Sequence, residues 1–270
     1  MAPALNKAFK PRRFAQLVLR DLAGSYRSML VAMAAVAGTV IVISALTVLG
    51  MWLSGRRSGA GDFHSSMFFN LLFLGGFIVT SLAFREARQN GGGIFYLTLP
   101  ASSLEKFASK LLTTSVGFAL GSVVFYTAVA AASEGINRLA FGFGNAFFNP
   151  FDRHVLQALV AYLVTQSVFL LGSIWWRKLA FVKTTMMIWV VVIGAALVAG
   201  ITARIVFREY FHGMQIDLGD VPGWNDLMRE TAAGYGPLAA AWRVLRIVTC
   251  AATAPVCWLI GWLRLREIEV

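Results

Sequence analysis

Met29 to Leu53 reads MLVAMAAVAGTVIVISALTVLGMWL, a run without a single charged residue. A hydrocarbon layer about 30 Å thick is crossed by roughly 20 helical residues rising about 1.5 Å each. Helix is the form such a segment takes in lipid, because it satisfies its own backbone polar groups. The run exceeds the apolar core of a signal peptide, about 7–15 residues, and follows a long charged segment, so it reads as an uncleaved span.

Composition extends that reading to the rest of the chain. Of 270 residues, 58% are hydrophobic and 14% charged, with a mean hydropathy of +0.68. A soluble domain keeps about a quarter of its residues charged. Five more stretches are long and apolar enough to cross: about 66–84, 111–133, 155–176, 182–203 and 238–263. The expected fold is an all-α polytopic membrane protein, one transmembrane domain over 1–270, with six transmembrane helices preceded by an amphipathic interfacial helix.

The net charge of +11 would suggest nucleic acid in a soluble protein. Here the basic residues fall between apolar runs, so they read as orientation signals and as attraction to anionic membrane lipid, with no nucleic-acid partner. With the N-terminus in the cytoplasm, the inside segments hold fifteen of the 24 Lys and Arg and five of the 13 acids, a balance of +10 inside against +1 outside. The positive-inside rule therefore places both termini in the cytoplasm, as an even number of spans requires.

From Arg13 to Arg27, Phe14, Val18, Leu22 and Tyr26 recur every four residues, while Arg13, Gln16, Arg20 and Arg27 lie largely on the opposite face. That pattern predicts a helix lying on the inner membrane surface; the alternative is a cytoplasmic extension of the first span. Between spans five and six, Arg204 to Gly236 is the longest polar segment and is expected to pack on the outer surface. Cys250 and Cys257 share one helix face too far apart for a disulfide, and read as packing residues. Gly117 and Gly121, like Ala34, Ala35, Ala37 and Gly38, read as helix-packing positions or as a dimer seam. Pro255 is expected to kink the sixth span or free a carbonyl.

The missing chemistry is informative. No Gly-x-x-x-x-Gly-Lys-Ser/Thr phosphate cradle, His-Glu-x-x-His or Gly-x-Ser-x-Gly occurs. His64, His154 and His212 stand apart at expected outer edges, without metal-ligand spacing. No catalytic, cofactor or metal site is expected. The first four spans carry no ionisable group between their ends, which argues against an ion-coupled carrier. Arg243 and Arg246 lie near the outer end of the sixth span, where they either snorkel outward or contact an anionic or phospholipid-like substrate.

Between spans two and three, Gly91 to Lys110 reads GGGIFYLTLPASSLEKFASK. The glycines permit a sharp turn, Leu99-Pro100 stops any preceding helix, and Ser102-x-x-Glu105 is a capping box opening the next one. Taken alone it is either a well-capped connector or a docking element on the cytoplasmic side.

The segment LTLPASSLEKFASKLL resembles the stretch after the second span in bacterial type-2 exporter permeases of ATP-binding-cassette transporters, and LLGSIWWRKLAFVKTT, Leu170 to Thr185, is similar to the link between spans four and five in a small branch of them. The resemblance implies two six-span permease copies, or one copy and a homologue, docked on separate ATP-binding subunits in the bacterial cytoplasmic membrane. ATP and Mg would sit on those partners. It further implies that the ATPase is met by Arg13–Arg27 and Arg85–Lys106, which makes Arg20, Glu86, Arg88, Pro100, Ser102, Glu105 and Lys106 the coupling residues. The segment between spans five and six departs from the larger exporters. The substrate expected of so uncharged a lining is a lipid, drug or peptide. The competing expectation is a structural or regulatory membrane subunit that transports nothing; a membrane-embedded enzyme lacks a nucleophile or metal cluster.

Overall fold

The computed structural model describes residues 10–56, 61–85, 101–176, 178–206 and 236–269. Within them the chain forms helices α1 (Pro11–Leu53), α2 (Phe63–Leu82), α3 (Ser103–Phe141), α4 (Arg153–Trp175), α5 (Ala180–Val206) and α6 (Gly236–Glu269), and no strand. All of α2–α5, and Tyr26–Leu53 of α1, are long and apolar enough to cross a membrane, five candidate spans among the described residues. The sixth expected span lies within the 34 residues of α6, where helix continues through Pro255.

Residues 11–27 do not form a separate element. They continue without a break into the first span, giving one helix of 43 residues, about 64 Å at about 1.5 Å per residue. This is the geometry of the extended-span alternative. Pro11 stands at the first helical position, where its missing N–H costs nothing.

Contacts along the helices define the bundle. Arg13 meets Glu105, Asp21 meets Lys110 and Ser44 meets Glu134, so α1 and α3 run parallel. His64 meets Glu134 while Phe84, just past α2, stacks on Phe107, so α2 runs antiparallel to α3. An aromatic and aliphatic core, with Phe68, Leu72, Tyr126, Phe148, Val155 and Tyr162 at its centre, joins α1–α4 toward the Glu134 end. A smaller one, Phe84, Phe107, Leu170, Ile174 and Leu265, joins α3, α4 and α6 toward the Glu105 end. Helix α5 lies at the edge, with only 6% of its most apolar window buried.

Two glycines decide how closely helices approach. A methyl group at Gly76 would enter the ring of Tyr162, and one at Gly172 would collide with Thr184. By contrast, a methyl group at Gly38 or Gly121 would meet nothing within 4 Å among the described residues, so neither glycine is a close-packing point between the described helices.

Both α2 and α3 contain one widened π turn, Leu71–Gly75 and Thr113–Gly117. Such a turn interrupts the regular i to i−4 ladder. In α3 the Tyr162 hydroxyl of α4 donates to the Thr114 carbonyl at 2.8 Å, and Gln166 donates to the Thr114 hydroxyl at 3.1 Å while accepting from Ser115 at 3.0 Å. In lipid an unmet carbonyl has no water to turn to. Tyr162→Phe is therefore expected to cost about 1–3 kcal/mol, the desolvation of an unsatisfied buried group, while helix content is kept. Thermal unfolding followed by circular dichroism in detergent measures it.

Candidate functional site

Two groups of bonded charged residues stand toward opposite ends of α3. At one end the expected capping box forms. Ser102 caps α3, its hydroxyl accepting from the Glu105 amide at 3.2 Å, and Glu105 Oε2 accepts from the Ser102 amide at 2.8 Å. The other oxygen has a second task. Glu105 Oε1 accepts from the Lys10 amide at 2.6 Å and from the Arg13 guanidinium at 3.1 Å. Lys10 is the N-cap of α1 and offers no side-chain cap of its own, so one carboxylate satisfies orphan donors of two helix N-termini. Its negative charge also lies where both helix dipoles favour an anion.

About two turns further along α1, Asp21 repeats the arrangement, with Lys110 Nζ donating to Oδ1 at 2.9 Å and Ser109 Oγ to Oδ2 at 3.1 Å. The basic start of α1 is thereby fastened to the start of α3 at two levels. Glu105 and Lys106 are buried, whereas Arg12, Arg20 and Arg27 are exposed along α1. Of the residues expected to couple to a partner, Glu105 is thus occupied in holding α1 to α3 and Ser102 in capping α3, while Arg20 is exposed. Glu86, Arg88 and Pro100 lie outside the described residues, as do the side chains of Arg243 and Arg246, whose backbone belongs to α6.

The opposite end holds a cluster that the sequence did not suggest. Helix α2 begins at Phe63 and α3 runs on to Phe141, so both reach beyond the expected edges at 66 and 133 and bring His64 and Glu134 into the interior. His64 does not stand alone: its Nε2 is 2.7 Å from Glu134 Oε1, and its Nδ1 is 3.1 Å from the Tyr126 hydroxyl. Ser44 of α1 donates to the same Oε1 at 2.9 Å, and the amides of Asn137 and Asn145 reach it at 3.3 Å each. Both amides also donate to the Ser44 oxygen, at 2.8 and 3.1 Å. Ser44 and Glu134 are 0% exposed. Among the described contacts, Glu134 Oε2 is buried and has no hydrogen-bond partner; it lies against Gly144.

This arrangement revises the picture of spans lacking interior ionisable groups. It does not make a serine nucleophile, since the Ser44 hydroxyl is directed at Glu134 and His64 is held between Glu134 and Tyr126. No group of three or more His, Cys, Asp or Glu residues able to hold a metal occurs among the described residues. His154 is an exposed residue in the first turn of α4, its amide taken by the Asp152 cap at 2.7 Å, and His212 lies outside the described residues. The cluster left one trace in the sequence: Glu134 and Asn137 are three apart and share a helix face at the edge of an apolar run.

Comparison with known proteins finds no matching family model, curated protein or solved structure.

Proposed function

We propose that the chain is the permease subunit of an ATP-driven exporter in the bacterial cytoplasmic membrane. It would cross six times with both termini inside, and bind a separate ATP-binding subunit at the Glu105 end. It would pair with a second permease copy or homologue and move an amphipathic or apolar substrate such as a lipid, drug or peptide. The observation that carries this reading is the double fastening of α1 to α3 through Glu105 and Asp21. A push on the exposed basic face of α1 would be delivered to two parallel spans at once. The absence of a phosphate cradle fits a chain that borrows its energy from a partner.

Purification of the tagged chain from its native membrane is expected to bring an ATP-binding subunit with it. Arg20→Glu should weaken that association while leaving thermal stability within about 0.5 kcal/mol, as for exposed positions. Copurification without an ATPase, or ATP hydrolysis by the pure chain itself, would count against the permease. The second reading, a non-transporting subunit, draws support from the closed polar cluster around Glu134, and substrate-stimulated hydrolysis by the complex would exclude it.

Orientation has its own test in a background where Cys250 and Cys257 are replaced. Leu139→Cys is expected to react with an impermeant thiol reagent on intact cells, and Arg20→Cys only after permeabilisation. Leu139 is 91% exposed at one end and Arg20 exposed near the other, so the reverse pattern would invert the topology.

A further inference from the structure

We propose that the Glu134 cluster is a latch that holds together the ends of α1, α2 and α3 and the segment joining α3 to α4, and releases them as a unit. Its use in substrate passage rests on the permease reading; the latch itself is read from the side chains.

One oxygen is the keystone. Ser44 from α1, His64 from α2, Asn137 from α3 and Asn145 from the α3–α4 connector all converge on Glu134 Oε1. Withdrawing that oxygen would take the acceptor from Ser44 and His64 and leave the Asn137 and Asn145 amides with the Ser44 oxygen alone. The cluster is therefore made or broken as a whole rather than loosened one bond at a time. Bonds to a carboxylate are also shorter and stronger than neutral ones, and the 2.7 Å contact of His64 is of that kind.

The same carboxylate works against the closed form. Its Oε2 is buried beside Gly144 with no hydrogen-bond partner among the described residues, a cost that opening of this end would relieve. Strong bonds on one oxygen and an unpartnered second oxygen oppose each other, which gives this end a closed and an open arrangement. Glu105 at the other end differs in this respect. There one oxygen accepts from the Ser102 amide and the other from the Lys10 amide and Arg13, so neither is left bare. This asymmetry predicts that the Glu134 end opens while the Glu105 end stays fastened. The π turns at Leu71–Gly75 and Thr113–Gly117 interrupt α2 and α3 between the two ends and are where their axes can flex.

The test measures distances between spin labels in the full chain, reconstituted in lipid nanodiscs with Cys250 and Cys257 replaced. One labelled pair, Trp52→Cys and Leu139→Cys, spans the Glu134 end; a second, Leu19→Cys and Leu112→Cys, spans the Glu105 end. All four positions are exposed. Glu134→Ala is expected to add a longer population to the first pair and leave the second unchanged. Glu134→Gln, which returns an oxygen to the keystone position, should restore the short distance. No change in the first pair, equal broadening of both pairs, or a Gln variant as open as the Ala variant would each overturn the latch. Equal broadening in particular would mean that the fold as a whole had loosened. With a copurified ATPase present, ATP should lengthen the first pair in the chain with Glu134 intact. If the variants behave as expected but nucleotide changes nothing, the latch stands and the permease reading falls.

Discussion

Glu105→Ala is expected to cost at the lower end of about 3–5 kcal/mol, the range for removing one member of a buried ion pair. The Glu105 side chain is 0% exposed, and three groups depend on it: the amides of Lys10 and Ser102 and the guanidinium of Arg13. Arg13 is 24% exposed and can recover some hydration, which keeps the cost from the top of the range. Both helix N-termini lose the acceptor of one amide at the same time, although the Ser102 hydroxyl still caps α3. The loss should be local in its first consequence. Residues 11–21 of α1 should become open to protease while the core around Tyr126 and Tyr162 remains folded. Arg13→Ala should cost less, and Arg20→Ala, at an exposed position, within about 0.5 kcal/mol. Unfolding in mixed micelles titrated with dodecyl sulfate ranks the three; a Glu105→Ala chain as stable as Arg20→Ala would show that the double cap contributes nothing.

Gly76→Ala should destabilise by about 3 kcal/mol although it adds a single methyl group. Overpacking of a filled interior costs about 1–3 kcal/mol, and here the obstructing atoms cannot move aside cheaply. The added carbon would enter the Tyr162 ring, which is 0% exposed and bordered by Phe73, Phe77 and Phe118. Shifting the ring would also break its hydroxyl bond to the Thr114 carbonyl, adding about 1–3 kcal/mol. Gly75 provides the control. A methyl group there would sit at an ordinary 3.5 Å from Phe118, so Gly75→Ala should be close to neutral. In the Tyr162→Phe background the Gly76→Ala cost should fall, because the hydroxyl bond is already gone; strict additivity would mean that the two positions do not act through the same ring.

The membrane class and most of the spans were legible because lipid imposes a one-dimensional rule. A helix needs about 20 apolar residues wherever it lies in the chain, so Met29–Leu53 and Val182–Ala203 announce themselves without knowledge of their neighbours. The Ser102/Glu105 cap was legible for a similar reason, since its partners are three residues apart. The join between residues 27 and 28 was not. Amphipathic and uniformly apolar helix share the same backbone, and a change in the character of the side chains does not mark where a helix bends.

Ser102, Glu105 and the apolar runs were thus determined by the sequence, because the forces involved act over a single turn or depend on solvent alone. Tertiary structure decided what the polar residues do with one another. Glu105 lies 95 residues from Lys10, and Glu134 lies 70 from His64 and 90 from Ser44. No periodicity records such separations. In a lipid-solvated bundle the apolar faces lose little by meeting tails instead of each other, so the polar contacts contribute most to telling one packing from another. Those contacts exist only once the helices stand side by side, which is why a serine in an apolar run, a histidine at its edge and a glutamate just past a span become one cluster in the folded chain.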